Sequence, residues 1–238
     1  YFVGARKEKN HIPNNIPLVA IGTALLWFGW YGFNAGSELA VNDVTVAAFL
    51  NTDTAASFAA ITWLLIEWNV GKKKPTFIGL MTGAVAGLAT ITPAAGYVTL
   101  QSSVIIGIIA GIGCYLAVKF KEKQQWDDAL DVWGVHGMGG VIGTICLGLF
   151  ATTTINPNGV DGLFNGGDFL NCLAGAFLVD NSLQLITRCR MPVELRRKIS
   201  TSFSLLALLT AESDNLPFNM HIGTADSSDR WAGYIGIG

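Results

Sequence analysis

The chain has 238 residues, of which 51% are hydrophobic and only 13% are charged, and its formal net charge is −2. A soluble domain usually carries about twice that charged fraction, so the composition argues against a soluble globular protein. A net charge this close to zero gives no reason to expect nucleic acid as a partner, and the four cysteines lack the CxxC or cysteine–histidine spacing that would suggest a metal site or a disulfide framework.

Two long windows contain no charged residue and no histidine, namely residues 12–37 and 76–118. A membrane-spanning helix needs about 20 mainly apolar residues, so the first window has room for one such helix and the second for two. These windows predict an all-α, multi-pass bundle of membrane helices. Extending the same reading along the chain predicts five spans, at residues 16–37, 44–68, 76–91, 103–118 and 132–151.

The basic residues provide an internal test of the five-span prediction. Residues 1–167 contain nine lysines and arginines, all of them at 6–9, 72–74 or 119–123. With five spans, these three segments lie on one face of the membrane, and the loops without basic residues lie on the other. The positive-inside rule then predicts a cell-membrane protein with residues 1–15, 70–75 and 119–131 in the cytoplasm.

Glycines recur at intervals of four within the predicted spans, as at Gly79, Gly83 and Gly87 and again at Gly107 and Gly111. Small residues at this interval let helix backbones approach closely in lipid. We therefore interpret these glycines as helix-packing positions and not as part of a ligand site.

The composition changes at about residue 168. The apolar stretches beyond it, such as residues 205–209, are too short to cross a membrane, and several basic residues are crowded between 188 and 198. We expect residues 1–167 to form one domain. We expect residues 168–238 to be an atypical tail that is disordered or is read in a shifted frame, and the nucleotide sequence would test the second alternative.

One histidine, His136, stands out because no other histidine and no acidic or basic residue lies between Val132 and Val160. An ionisable group inside a membrane span is costly when it faces lipid, so we expect His136 to face a cavity or a neighbouring helix. A hydrogen bond to a backbone carbonyl is the simplest alternative for a lone histidine in a helix bundle.

Four motifs carry a resemblance to a known family: Gly29-Trp-Tyr-Gly-Phe-Asn-Ala-Gly-Ser37, Phe49-Leu-Asn-Thr-Asp-Thr54, Thr92-Pro-Ala-Ala-Gly-Tyr97 and Asp131-Val-Trp-Gly-Val-His-Gly-Met-Gly-Gly140. Their order and spacing over about residues 11–151 resemble the second half of the ammonium transporters. The Gly-Phe-Asn-Ala-Gly-Ser and Gly-Val-His-Gly runs are the most specific, and the first favours this branch over the related Rhesus glycoproteins.

The resemblance implies a fold and an activity without enzymatic chemistry. Ammonium transporters are trimers whose protomers contain two pseudo-symmetric five-helix halves of inverted topology, so this chain corresponds to one half. Ammonium loses its proton at an outer vestibule and passes as ammonia along an apolar pore between two histidines. The implied partners are the lipid bilayer, two further copies of the protein in a homotrimer, and ammonium or ammonia as the transported species. The resemblance implies no bound cofactor or metal.

The resemblance also implies residue roles. His136 matches the second pore histidine, and Trp30 matches an aromatic residue that lines the pore near it. Phe33 matches one of two stacked rings at the pore entrance, and Ser37 matches the hydroxyl that helps to bind the incoming cation. Asp131 matches an acid near the cytoplasmic pore end, to which we assign a structural role.

Several positions depart from this pattern or lie outside it. Asp53 stands where the family often has asparagine, and we expect it to form a hydrogen bond between helices and not to line the pore. Asp127 and Asp128 are expected to be solvated loop charges. The remaining histidines, His11 and His221, lie in the opening loop and the tail, so we expect the facing pore histidine to belong to a preceding half that this chain lacks.

Two other functions remain open at the level of sequence. One is an ammonium sensor, in which a transporter-like body acts on a signalling domain. The other is a facilitator for a different small solute, such as methylamine or CO2.

Overall fold

The structure is a computed structural model that describes residues 15–70, 74–169 and 172. These residues belong to one compact unit, Tyr1–Leu173, and are helical, with no strand among them. The five α-helices are α1 (Ile16–Asn34), α2 (Asp43–Asn69), α3 (Phe77–Ile91), α4 (Leu100–Gln124) and α5 (Met138–Phe150). Short 3-10 turns lie at Gly36–Glu38 and Leu163–Asn165, and a π turn at Trp133–Gly137 precedes α5. The predicted tail, residues 168–238, lies almost wholly outside the described residues.

Polar side chains mark where the helices begin. Asn15, Asn42, Thr76 and Thr99 each accept a hydrogen bond from a backbone amide in the first turn of α1, α2, α3 and α4, respectively. Such caps satisfy amides that have no partner within the helix. Glu67, in the last turn of α2, accepts hydrogen bonds from the amide and hydroxyl of Thr76 at 2.8 and 3.0 Å and ties the end of α2 to the start of α3.

Four helical segments among the described residues are long and apolar enough to cross a membrane: Ile16–Glu38, Asp43–Asn69, Leu100–Gln124 and Trp133–Phe150. They confirm the all-α, multi-pass membrane fold. Helix α3 has 15 residues, fewer than the roughly 20 that a span requires, so its length does not confirm a fifth span.

Contacts along α3 nevertheless support a fifth crossing, which stays our prediction. A Cβ atom built on Gly79 would overlap the carboxylate of Glu67, and one built on Gly96 would lie 3.1 Å from Val44. The segment Gly79–Gly96 therefore runs antiparallel to α2 from Glu67 back to Val44. At 1.5 Å per residue, that part of α2 is about 34 Å long, close to the thickness of the hydrocarbon core.

Helix α2 is central because α3 and α4 both pack closely against its alanines. A Cβ on Gly87 would lie 2.5 Å from the carbonyl oxygen of Ala55 and 2.7 Å from the Cα atom of Ala56. A Cβ on Gly107, from α4, would lie 2.6 Å from the same Ala55 oxygen. The interpretation of these glycines as helix-packing positions is confirmed. By contrast, α1 contains no buried residue and lies at the edge of the described helices.

Candidate functional site

His136 lies in the π turn, where the backbone amide of Met138 donates to the carbonyl of Trp133, five residues earlier. Such a turn inserts one extra residue into a helix and changes the direction in which the following side chains project, and π turns occur frequently at functional sites. We had predicted one continuous helix over residues 132–151, so the sequence pattern missed this turn. His136 and Gly137 are both exposed within this chain.

Asp128 caps the beginning of this helical segment. Its Oδ1 atom accepts from the amide of Val132 at 3.0 Å, and its Oδ2 atom accepts from the amide of Trp133 at 2.8 Å. A carboxylate here satisfies two amides that have no helical partner and also suits the positive end of the helix dipole. The expectation that Asp128 is a solvated loop charge was therefore wrong.

Asp131 forms an ion pair with Lys121 from the last turn of α4. The Lys121 ammonium also donates to the backbone carbonyl of Asp128 at 2.9 Å, and Lys121 is only 7% exposed. Asp131 adopts a left-handed backbone conformation with φ of +55°. These contacts fix the chain immediately before the π turn, and the structural role of Asp131 stays a prediction.

Trp30 brings α1 to the histidine. Its ring stacks on the imidazole of His136 with a centroid distance of 6.1 Å and an interplanar angle of 19°. The ring of Phe33 meets Trp30 edge-on at 5.9 Å. His136, Trp30 and Phe33 thus form a continuous row of rings, which we call the ring row. Its outer member Phe33 is 59% exposed, so the ring row lies along an open face of the described helices.

Ser37 lies one helical turn beyond Phe33, in the 3-10 turn that follows α1. Its hydroxyl donates to the carbonyl of Phe33, and its side chain is exposed. Because the hydroxyl proton is already engaged, the lone pairs of the oxygen are free to accept from an N–H donor.

Two contacts that the sequence reading did not assign hold Trp30 in place. The indole Nε1 atom donates to the hydroxyl of Thr92 at 2.8 Å, and that hydroxyl donates in turn to the carbonyl of Leu88 at 2.8 Å. Thr92 belongs to one of the four motifs, but only the contact between α1 and the end of α3 shows what it does. No group of three or more potential metal ligands occurs among the described residues.

Asp53 lies beside α1 and not in the ring row. Its carboxylate accepts a hydrogen bond from the hydroxyl of Tyr31, which confirms the expected bond between helices. The Tyr31 ring also stacks on Phe49 at a centroid distance of 4.2 Å. One turn further along α1, the amide of Asn34 donates to the hydroxyl of Thr52 at 2.9 Å.

Comparison with known proteins agrees with this geometry. The sequence model of the Ammonium Transporter Family matches residues 2–186. The chain belongs to the ammonium transporter family. It is 51% identical over 166 residues to an ammonium transporter of Bacillus subtilis, a match that covers 69% of this chain and 41% of the relative. The chain therefore spans about two-fifths of the length of that relative.

Solved structures show the same relationship. Mep2 from Candida albicans matches with a TM-score of 0.61 and 35% identity, and the match covers 90% of this chain and 44% of Mep2. A protein described as a sensor Amt protein matches with a TM-score of 0.60 and 32% identity over 77% of this chain and 48% of its own. The family member described here is thus a multi-pass membrane protein, and the Bacillus subtilis relative is named as a transporter and not as an enzyme.

Proposed function

We propose that the protein transports ammonium or ammonia across the cell membrane and that this chain supplies one wall of a narrow apolar pore. The observation that carries the proposal is the ring row of His136, Trp30 and Phe33, which lies along an open face of a chain belonging to the ammonium transporter family. The facing histidine and the second entrance ring would come from the part of the transporter that this chain does not contain.

The chemistry of the row suits a small cation that gives up a proton. The oxygen of Ser37 accepts a hydrogen bond from ammonium, and the face of Phe33 attracts an ion that has lost part of its hydration. A neutral imidazole at His136 has one donor and one acceptor nitrogen and can take or pass on a proton. Apolar walls exclude K⁺, which cannot shed its water there and has no proton to release.

Three further expectations belong to this proposal. Residues 1–167 form the transporter half, followed by the atypical tail 168–238. The intact protein is a homotrimer. Its basic segments, residues 1–15, 70–75 and 119–131, lie on the cytoplasmic side, as the distribution of lysine and arginine predicts.

An ammonium sensor is the second candidate, because a sensor Amt protein shares the fold with 32% identity. In a sensor, occupancy of the Ser37–Phe33 entrance would matter, but rapid flux past His136 would not. Flux therefore separates the two functions. Flux of CO2 in place of methylammonium would indicate the third alternative, a facilitator of another solute.

The experiment is uptake of radiolabelled methylammonium by a transporter-deficient strain that expresses the complete gene. We expect saturable uptake by the unaltered protein. We expect His136→Ala to lower the rate per membrane-inserted protein at least about tenfold, because placed proton-transfer groups typically contribute factors of that size or more. The matched control is Asn69→Ala, an exposed residue at the far end of α2. Unchanged uptake by His136→Ala would overturn the pore role, and binding without flux would favour the sensor.

A further inference from the structure

Within the described residues, polar contacts tie the end of α1 to its neighbouring helices. No residue of Ile16–Asn34 is buried. Three hydrogen bonds leave its last five residues: Trp30 Nε1 to Thr92 Oγ1, Tyr31 Oη to Asp53 Oδ1, and Asn34 Nδ2 to Thr52 Oγ1. We call these three bonds the polar clamp. In lipid there is no hydrophobic drive between helices, so packing and hydrogen bonds between helices together fix how a helix is placed.

We infer that Thr92 and Asp53 are positioning residues which, through the polar clamp, keep the ring of Trp30 stacked on His136. Neither residue touches His136, and neither is assigned to the ring row. The consequence for flux rests on the proposed transport function, whereas the geometric part of the inference can be measured without it.

Thr92 is suited to this role by its place at the end of α3. The carbonyl of Leu88 lies in the last turn of the helix and accepts the hydroxyl proton of Thr92. That bond fixes the Thr92 oxygen as an acceptor turned toward the indole of Trp30. Pro93 follows directly and ends the helix, which keeps Thr92 at this position.

Asp53 braces α1 from a second direction. Consecutive residues of an α-helix are turned by about 100° from one another, so neighbouring side chains leave the helix on different sides. Trp30 reaches Thr92 beyond α3, and its neighbour Tyr31 reaches Asp53 on α2. Two bonds in different directions restrict the rotation of α1 about its axis, and Asn34 adds a third at its end.

The chemistry of Asp53 supports a positional role. An ionisable side chain within a membrane span is costly unless it has a partner, and the partner here is the Tyr31 hydroxyl. The Tyr31 ring is held on its other side by stacking on Phe49. An asparagine oxygen could accept the same hydrogen bond, whereas an aliphatic side chain could not.

The test is nuclear magnetic resonance of the complete transporter in lipid nanodiscs with isotope-labelled histidine. The His136 signal is assigned by its loss in His136→Gln. A stacked indole shifts the imidazole ring protons by its ring current, and Trp30→Leu gives the unstacked reference position. We expect Thr92→Val and Asp53→Leu to move the His136 signal toward that reference, and their conservative counterparts Thr92→Ser and Asp53→Asn to leave it near the wild-type position.

Uptake by the same variants separates this inference from the proposed function. We expect Thr92→Val to lower the maximal rate per transporter several-fold with a change in KM of less than about twofold, because Ser37 is untouched. We expect Thr92→Ser to restore the rate. A His136 signal unchanged in both Thr92→Val and Asp53→Leu would overturn the clamp, whatever the uptake. A signal that moves while uptake stays at the wild-type rate would support the clamp and count against the pore role of His136.

Discussion

Asn51 shows what a single polar residue contributes in a helix bundle of this kind. It is 1% exposed, and its side-chain Nδ2 atom donates to the carbonyls of Ala95 and Val98 at 2.8 and 2.7 Å. These carbonyls belong to the turn that links α3 to α4, where the backbone leaves the helical hydrogen-bond pattern. Asn51 therefore pairs groups that would otherwise be buried without a partner, which is costly both in lipid and in a protein core.

Replacing this amide should lower stability because two acceptors lose their donor. We expect Asn51→Leu to reduce the free energy of unfolding by roughly 2 kcal/mol or more, since each unsatisfied buried group costs about 1–3 kcal/mol. Thermal unfolding of the purified transporter in detergent measures this loss of stability. The matched control is Asn69→Leu on the same helix, where the exposed amide bonds only to the carbonyl of Leu65. Equal melting temperatures for the two variants would contradict the prediction.

The residues of the ring row were accessible from sequence because short motifs mark His136, Trp30 and Phe33. Their supporting residues were not. Thr92 lies 62 positions from Trp30 in the sequence. No local sequence pattern shows that the two side chains are in contact. Asp128 was assigned to solvent because a cluster of acids before a helix resembles a loop, although a capping acid occupies the same place in the sequence.

At the scale of the helices, the charge-free apolar runs located the five α-helices but not every end. Helix α1 was expected over 16–37 and occupies Ile16–Asn34, whereas α4 was expected over 103–118 and continues to Gln124. The extension carries Lys121, whose charge is paired with Asp131. From sequence alone, the basic residues 119–123 are interpreted as a loop, because nothing local shows that Lys121 has an acidic partner. The π turn was missed because one inserted residue leaves the apolar character of the segment unchanged.

The close approach of α2 and α3 gives a prediction about one glycine. We expect Gly87→Ala to destabilise the protein, because the new Cβ would lie 2.5 Å from the Ala55 oxygen and 2.7 Å from the Ala59 Cβ atom. Both helices would have to separate. Gly22→Ala is the control, since nothing in the described chain lies within 4 Å of its Cβ position and alanine favours a helix by up to about 1 kcal/mol. Thermal unfolding should show a lower melting temperature for Gly87→Ala and not for Gly22→Ala.

At the scale of the whole molecule, the described helices have two ends of different character. At one end, the Thr76 amide donates a hydrogen bond to Glu67, and Lys121 forms an ion pair with Asp131. The other joins the turn after α3 to the loop after α5, where the amide of Thr152 donates to the carbonyl of Tyr97 at 2.8 Å. The described basic residues are found at the first end, and the positive-inside rule predicts that this end is cytoplasmic.

Cysteine labelling of intact cells tests this topology and the crossing by α3. Lys74 precedes α3 and Gln101 follows it. In a Cys189→Ser background, we expect a membrane-impermeant maleimide to label Gln101→Cys from outside and Lys74→Cys only after the cells are opened. Both positions labelled from the same side would show that α3 does not cross. The buried native cysteines Cys114, Cys146 and Cys172 should react little.

The π turn also restricts insertions and deletions in the segment that carries it. Asp128 fixes the start of this segment through the amides of Val132 and Trp133, and the stack on Trp30 fixes His136. Deleting one residue between them would restore α-helical spacing but rotate one anchor relative to the other by about 100°. Either the cap or the stack would then be lost. Insertions and deletions should therefore be excluded between Asp128 and His136 in functional relatives.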